Sequence, residues 1–369
     1  MNKKIIPIVS EVSEKSARLR ATLPKSKFNI LLPEARPMPE HSLPTFAGKT
    51  HREICFTIFG ECNLKCAFCF VEDVRPDLYS RESLDYNLEL LDEVLGKISE
   101  DVVKIKIAGG ELFMDKFDDQ VFADYDDMMT RIHELGVKYG KELKVGITTN
   151  MIFKKTERVI DFLKRWNIPI RGSFDLVGRF PNRKTVELFM RNMFTFKEAG
   201  VNIGVNFVAS KPNMNAIKNR EEYIEEFETL YNNFDMRFEY YSPNGVDQWE
   251  VSEEEVYEWF VYMYEHYPKC STIADLIVKR QKGFSGWREC PQSIWITRMI
   301  IGECCDRDAE AKKFITNKGC LACDYLQVCH GSCYRLFSDN SFCFLRAFNE
   351  YLDARMEATT GEVVQGAQE

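Results

Sequence analysis

The chain lacks any apolar run of the roughly 20 residues needed to cross a bilayer, and the early run Ile5 to Val9 is too short for a secretion signal. It also lacks an excess of positive charge, since 49 Lys and Arg against 57 Asp and Glu give a formal net charge of −8. That balance argues against a surface that follows a nucleic-acid backbone. We therefore expect a cytoplasmic protein that neither crosses a membrane nor binds nucleic acid.

Cysteine is absent from residues 70–269, although the chain has 13 cysteines. Four of them lie between positions 55 and 69, and nine lie between positions 270 and 343. Because the cytosol keeps thiols reduced, we do not interpret these cysteines as disulfides. Two groups separated by a long cysteine-free stretch predict metal sites in two different parts of the chain.

Between residues 53 and 267, six apolar runs of strand length alternate with six stretches of helical periodicity. Ser80, for example, opens a stretch in which Leu84, Leu88 and Leu91 fall on one face. This alternation predicts an α/β fold, a partial or full (β/α)6 TIM-like barrel with parallel strands and right-handed crossovers. The predicted strands are 54–59, 102–108, 143–148, 168–174, 201–208 and 236–241, and the predicted helices are 80–95, 125–139, 157–166, 185–199, 221–231 and 252–267.

Composition divides the chain further. Residues 1–50 carry six prolines and no sustained periodicity, which predicts an extended arm before a barrel at 51–285. Residues 286–350 form a small cysteine-rich domain without a large apolar core, and we expect bound metal to stabilise it. Residues 351–369 are expected to hold the end of a helix and a tail that is disordered from Thr359 onward.

Residues suited to chemistry follow four consecutive predicted strands. A cysteine loop follows the first strand and Gly109-Gly110-Glu111 the second, Asn150 follows the third, and Ser173 and Asp175 close the fourth. Because functional groups of parallel barrels gather at the carboxyl ends of the strands, we expect all of them at one mouth.

The cysteine loop contains Cys62, Cys66 and Cys69, with spacings of four and three residues. Thiolates are the soft ligands that iron–sulfur clusters require. Three sulfurs in a short loop can bind three irons of one cubane and leave the fourth iron open, which is typical of a catalytic metal site. A zinc site is the alternative, although zinc would need a fourth ligand, and Cys55 lies within the first strand.

The pattern C-x3-C-x2-C, with the aromatic residue Phe68 before the last cysteine, resembles the signature of the radical S-adenosylmethionine (SAM) superfamily. The resemblance implies a [4Fe-4S] cluster whose open iron binds the amino and carboxylate groups of SAM. One electron, supplied by a flavodoxin- or ferredoxin-type donor, then cleaves SAM to a 5′-deoxyadenosyl radical that abstracts a hydrogen from the substrate.

The same resemblance implies a set of SAM contacts. Gly109-Gly110-Glu111 matches the GGE motif, in which glycines allow close backbone approach and the carboxylate accepts hydrogen bonds from the SAM ammonium. Leu176 and Met151 stand where relatives usually have glycine, and each of the later contacts has an alternative as an ordinary strand-end residue. The implied contacts are Phe68, Gly109, Gly110, Glu111, Asn150, Ser173, Asp175 and Arg183.

The carboxyl-terminal cysteines resemble the SPASM domain of peptide-modifying radical SAM enzymes, so that the resemblance covers residues 53–350. It implies two auxiliary iron–sulfur clusters, whereas a zinc ribbon is the alternative. The pattern's glycine is absent, so Cys304 and Cys305 both stay candidates for one ligand position. One cluster would be held by Cys320, Cys323, Cys329 and Cys343, and the other by Cys290, Cys333 and one of Cys304 and Cys305. Cys55 and Cys270 are expected to be small buried hydrophobic residues.

Asp306 directly follows Cys305, and the resemblance to sulfatase maturases implies that it accepts a substrate proton; a surface-loop aspartate is the alternative. The leading hypothesis is oxidation or cross-linking of a peptide or protein, as in post-translational or RiPP maturation. Residues 1–50 cannot supply a leader-binding winged helix, so a separate leader-binding protein is a possible partner. The other hypotheses are a sugar or aminocyclitol dehydrogenase or epimerase, and a non-catalytic iron–sulfur electron carrier.

Overall fold

A mostly parallel sheet of eight strands forms the centre of the structure. The computed structural model describes residues 51–69, 78–241, 247–281, 294–297, 300–303 and 343–365. Within these residues the strands lie in the order β6-β5-β4-β3-β2-β1-β7-β8. The strands are β1 His51–Thr57, β2 Val102–Ile107, β3 Glu142–Thr149, β4 Ile170–Ser173, β5 Ile203–Ala209, β6 Asp235–Tyr240, β7 Ile294–Thr297 and β8 Ile300–Glu303.

Strands β1 to β6 pair as consecutive parallel neighbours, and β7 adds a parallel strand on the other side of β1. Only β7 and β8 pair in the antiparallel sense within the described residues. Each parallel connection from β1 to β6 contains a helix, as right-handed crossovers require. The order is open rather than closed among the described strands, which confirms the predicted partial α/β barrel.

The helices surround one face of the sheet, and several begin where the sequence supplies a capping side chain. Ser80 accepts a hydrogen bond from the backbone of Ser83, and Ser252 forms a reciprocal capping box with Glu255. The helices of the described residues are α1 Arg81–Lys97, α2 Asp119–Tyr139, α3 Thr156–Arg165, α4 Arg183–Glu198, α5 Lys211–Lys218, α6 Ile224–Asn233, α7 Glu253–His266, α8 Ser271–Gln281 and α9 Phe344–Gln365, and a 3₁₀ turn lies at Asp247–Trp249.

The hydrophobic core lies between the sheet and these helices. Alternate strand residues such as Ile54, Phe56 and Ile105 are fully buried, and they belong to one cluster with the predicted leucine stripe of α1. Burying a side chain of this size contributes about 1.5–3 kcal/mol. The core therefore fixes the helix-facing side of the sheet and leaves the opposite side for polar residues.

A contact across the sheet shows that it curls. Lys106 on β2 donates a hydrogen bond of 2.9 Å to Glu239 on β6, although three strands lie between them in the sheet order. Strands spaced about 4.8 Å apart would hold these positions roughly 19 Å apart in a flat sheet. Asn206 contacts Glu239, and Arg171 donates to Asn206 at 3.2 Å. We call the side that carries Lys106, Arg171, Asn206 and Glu239 the inner face.

The structure differs from the predicted elements in several places. Helix α2 begins at Asp119, six residues before the predicted start, because the Asp118 carboxylate caps the backbone of Gln120 and Val121. Helices α5 and α8 and strands β7 and β8 were not predicted, since runs of four to eleven residues carry little periodicity. The sheet thus continues past residue 285, and α9 continues to Gln365, past the start of the predicted disordered tail. No helix in the described ranges has the length and apolar character to span a membrane.

Candidate active site

The cysteine loop follows β1 at the carboxyl edge of the sheet. Cys62 and Cys69 are half-buried, whereas Cys66 is buried. The backbone N–H of Cys69 donates to the carbonyl of Cys66 at 3.2 Å, and the N–H of Leu64 donates to Cys62 Sγ at 3.4 Å. These two local hydrogen bonds help to fold the loop that carries all three cysteines after the strand.

The glycine pair after β2 brings the cysteine loop against the sheet. A Cβ atom on Gly110 would lie 1.9 Å from the backbone oxygen of Glu61, and Gly109 has a φ of +136°. The N–H of Gly110 donates to Phe59 O and that of Glu111 donates to Glu61 O, both at 2.9 Å. The visible reason for glycine is thus the close approach of the chain itself; the approach of the same backbone to SAM stays a prediction.

Glu111 joins the ends of β2 and β3. Its carboxylate is almost completely buried and accepts hydrogen bonds from Thr149 Oγ1 at 2.7 Å, from the N–H of Asn150 at 2.6 Å and from the N–H of Phe113 at 3.1 Å. Burial raises the pKa of this carboxyl, while the three donors and the charge of Arg179 oppose the rise. Three donors from the chain occupy the carboxylate, so its contact with the SAM ammonium stays a prediction.

Asn150 binds the cysteine loop directly. Its side-chain amide donates to Asn63 Oδ1 at 2.7 Å and to Cys62 Sγ at 3.5 Å, and Asn63 in turn donates to the carbonyl of Ile152 at 2.6 Å. Met151, where relatives have glycine, adopts φ +60°. Met151 thus adopts a left-handed conformation, which glycine adopts more readily.

Asp175 lies at the end of β4 and is fully buried. Its Oδ1 accepts from the N–H of Val208 at 2.7 Å and from Asn213 Nδ2 at 2.9 Å, and its Oδ2 accepts from Arg179 Nε at 2.6 Å. Burial raises the pKa of the carboxyl, and the guanidinium charge lowers it. Asp175 therefore joins β4 to the end of β5. Ser173, beside it on β4, is buried and pairs in register with Asn206.

The arginine that contacts the cysteine loop is Arg179, which the sequence did not indicate. Its Nη1 donates to Cys66 Sγ at 3.6 Å, and its guanidinium lies 5.3 Å from the centre of the Phe68 ring. The segment that carries Arg179 is held against the cysteine loop by a hydrogen bond of 2.8 Å from the backbone N–H of Ala67 to the carbonyl of Gly178. The sequence signal for such a contact was an arginine shortly after Asp175, but both Arg179 and Arg183 meet that description.

Arg183 lies apart from the cysteine loop in the described structure, and its contact with SAM stays a prediction. Arg183 is the first residue of α4, and it forms an ion pair with Glu226 on α6 and a second with Glu187 at 3.6 Å. Its guanidinium also lies over the ring of Tyr223. The side chain is half-exposed and its described contacts are with α4 and α6, so it does not join the residues around the cysteines.

An aromatic wall closes one side of the loop. Phe68 is buried and packs against Trp249, with ring centroids 5.4 Å apart. Gly178, at φ +79°, is required because a Cβ there would lie 2.6 Å from the Trp249 ring. Leu64, Cys66 and Tyr241 complete this small cluster, which is separate from the main core. The Phe68 side chain is thus part of the wall, and the predicted adenine contact of its backbone stays a prediction.

The donor set fits an iron–sulfur cluster. Three thiols lie in one loop, and N–H groups of Leu64, Asn150 and Arg179 point to two of the sulfurs, as suits thiolate ligands that carry negative charge. Burial raises the pKa of Cys62 to about 11 without a cluster, so binding of iron would displace its proton. Among the described residues no three His, Cys, Asp or Glu side chains form a single-ion site. A cubane presents separate irons and does not require such convergence.

The described part of the chain leaves most carboxyl-terminal predictions untested. Cys343 is half-buried and immediately precedes α9. Cys55 and Cys270 are buried, as expected for small hydrophobic residues, and the Cys270 thiol donates to Met236 O at 3.4 Å. The predicted ligands and the predicted proton acceptor outside the described residues are Cys290, Cys304, Cys305, Cys320, Cys323, Cys329, Cys333 and Asp306.

Comparison with solved structures shows what fold this chain shares. It superimposes on anSMEcpe, an anaerobic sulfatase maturase, with bound AdoMet at a TM-score of 0.54 and 14% identity, covering 84% of this chain and 99% of that chain. The same enzyme with AdoMet and the Cp18Cys peptide superimposes at a TM-score of 0.54 and 14% identity, covering 85% of this chain and 99% of that chain. Streptococcus suis SuiB bound to precursor peptide SuiA has a TM-score of 0.48 and 18% identity, covering 78% of this chain and 72% of that chain. No curated protein sequence matches this chain.

The family comparison agrees with the site. Residues 56–230, which contain the cysteine loop, the glycine pair and the ends of β1 to β5, match the model of the radical SAM superfamily. That family implies SAM and a [4Fe-4S] cluster as cofactors. Three thiols at the carboxyl edge of an open parallel barrel are where such a cluster would be bound. Residues 56–230 of this enzyme therefore form a radical SAM domain.

Proposed function

We propose that this enzyme modifies a peptide or protein by abstracting a hydrogen atom and then oxidising or cross-linking the substrate. The observation that carries the proposal is the loop of Cys62, Cys66 and Cys69, held at the mouth of a curled sheet whose inner face is polar. A [4Fe-4S] cluster bound there with SAM would supply a 5′-deoxyadenosyl radical, the species that abstracts the hydrogen.

The residues around the loop hold the three thiols in place. The Glu111 carboxylate ties the ends of β2 and β3 together, and Asn150 extends from that junction to the Cys62 sulfur. On the other side, Asp175 fixes Arg179 against Cys66. Contacts from three strand ends thus fix the loop before any substrate arrives, which limits the reorganisation needed during reaction.

The inner face below the loop supports a polar substrate. Lys106 and Glu239 form an ion pair across this face, yet the Lys106 side chain remains about a third exposed and the Glu239 side chain more than half exposed. Asn206 and Arg171 continue the polar surface along β5 and β4. A peptide backbone offers donors and acceptors that such a surface can bind, and anSMEcpe, whose fold this chain shares, has been solved with a peptide.

Net oxidation of the substrate requires an acceptor for a second electron and for a proton. Auxiliary clusters held by the carboxyl-terminal cysteines would supply the electron acceptor, and Asp306 is the proposed proton acceptor. A flavodoxin- or ferredoxin-type protein would supply the reducing electron. A separate leader-binding protein would present a precursor peptide.

The proposal is tested with anaerobically reconstituted full-length protein, SAM and dithionite. We expect the Cp18Cys peptide to increase 5′-deoxyadenosine formation above the uncoupled rate and to lose the mass of two hydrogens, both measured by LC–MS. Cys66→Ala is the control, and it should form no deoxyadenosine. Stimulation by a sugar or an aminocyclitol, with none by the peptide, would contradict the peptide proposal and support the small-molecule alternative.

A further inference from the structure

A buried ion pair between Asp175 and Arg179 contacts the cysteine loop through Arg179. Asp175 is fully buried, and the Arg179 side chain is 12% exposed. Arg179 uses Nε for the carboxylate and Nη1 for Cys66 Sγ, so one guanidinium links an anion and a thiol. A buried pair stabilises a fold little compared with apolar packing, and its position against a cluster ligand therefore indicates a role there.

The geometry of the pair is fixed from several sides. Asn213 donates to Asp175 Oδ1 and to the carbonyl of Val208, and its own Oδ1 accepts from the N–H of Val177 at 2.9 Å. The guanidinium also lies over the Phe68 ring. Because the carboxylate, the ring and the loop backbone are all held, Nη1 cannot leave the Cys66 sulfur without breaking other contacts.

We propose that Arg179 sets the reduction potential of the cluster bound by Cys62, Cys66 and Cys69, with Asp175 as its positioning residue. Reduction adds negative charge to the cluster and its sulfur ligands, and a hydrogen-bond donor on a ligand sulfur stabilises that charge more in the reduced form. The donor therefore raises the potential and makes the cluster easier to reduce. The proposal depends on the radical SAM assignment and not on the identity of the substrate.

Two variants separate the hydrogen bond from the charge. Arg179→Lys keeps a buried cation beside Asp175 but loses the planar fork that spans the carboxylate and the sulfur. The double variant Asp175→Asn with Arg179→Gln removes both charges together, so no unpaired charge is left buried. Arg183→Gln is the matched control, because it also removes an ion-paired arginine from the same segment, but one whose partner is Glu226.

The measurement is an EPR-monitored redox titration of anaerobically reconstituted protein without substrate. A variant in which Cys62, Cys66 and Cys69 are all alanine identifies which signal belongs to this loop. We expect both Arg179 variants to bind wild-type amounts of iron and to show a lower midpoint potential, while Arg183→Gln matches the wild type.

An unchanged potential in either iron-replete Arg179 variant would overturn the proposal. Loss of the cluster from both variants, with Arg183→Gln intact, would also overturn it, because the pair would then serve assembly of the cluster. Absence of any [4Fe-4S] signal from the wild-type loop would instead contradict the radical SAM assignment itself. None of these measurements uses a peptide substrate, so failure of the peptide proposal can be distinguished from failure of the proposal for Arg179.

Discussion

Replacing Gly110 with alanine should displace the cysteine loop. The added Cβ would lie 1.9 Å from Glu61 O, 2.7 Å from Glu61 C and 2.9 Å from Glu61 N. All three atoms are backbone, so no side chain can rotate away. A separation of even 3.0 Å requires the loop to move by about 1.1 Å from the end of β2.

That movement breaks the two hydrogen bonds that hold the loop. The bonds from Gly110 N to Phe59 O and from Glu111 N to Glu61 O are 2.9 Å long, and such a shift takes them outside bonding range. Each buried N–H left without a partner costs about 1–3 kcal/mol, so we expect a loss of about 2–6 kcal/mol in the free energy of unfolding. For a domain of this size the Tm should fall by roughly 4 °C or more.

The assay combines thermal unfolding with iron analysis after anaerobic reconstitution. Gly146→Ala is the matched control, because the nearest atom to its added Cβ is Pro169 O at 3.8 Å. We expect Gly110→Ala to lose both stability and the iron bound by the loop, and Gly146→Ala to lose neither. Equal Tm and iron content in the two variants would refute the role given to Gly110.

Three further predictions concern the loop and the inner face. Cys66→Ala should lower bound iron by about four atoms per chain, measured colorimetrically; unchanged iron would place the cluster elsewhere. Glu111→Gln should lower the free energy of unfolding, measured by denaturant titration, by about 1–3 kcal/mol, because an amide cannot accept hydrogen bonds on both of its terminal atoms from Thr149 and Asn150. The control Glu61→Gln removes an exposed ion pair with Lys116 and should change the free energy of unfolding by less than about 1 kcal/mol. Lys106→Met should reduce peptide-coupled deoxyadenosine formation and leave uncoupled SAM cleavage unchanged, so equal effects on both rates would argue against substrate binding at the inner face.

The sequence was sufficient for the features that depend on local pattern. The strand-length apolar runs predicted β1 to β6 to within a few residues, because alternation of strands and helices constrains a parallel sheet strongly. The spacing of Cys62, Cys66 and Cys69 predicted one loop, and the structure places all three residues in the irregular segment that follows β1. Short elements such as β7 were not predicted, since four residues are too few to show a hydrophobic periodicity.

The choice between Arg179 and Arg183 could not be made from the sequence. Both arginines follow Asp175 closely, and the outcome depends on the turn at Gly178, whose positive φ and bond to Ala67 direct Arg179 toward the cysteines. Arg183 begins a helix and meets Glu226, a residue 43 positions later. Contacts of that kind are set by tertiary packing, which a motif does not encode.

The role of the glycine motif likewise required coordinates. Gly109 and Gly110 were predicted to allow approach to SAM, which stays a prediction, and the structure shows in addition that both lie close to the end of β1 and the segment after it, at Thr57, Phe59 and Glu61. Sequence pattern indicated that something approaches these glycines closely. It could not indicate that the approaching group is the chain itself.

The central claim is that the three thiols bind a cluster that cleaves SAM. Full-length protein should be reconstituted with iron and sulfide without oxygen, mixed with SAM and dithionite, and analysed for 5′-deoxyadenosine by LC–MS. We predict that the wild type forms deoxyadenosine and methionine and that Cys66→Ala forms neither. Iron-replete wild-type protein that neither binds SAM nor releases deoxyadenosine would contradict the claim.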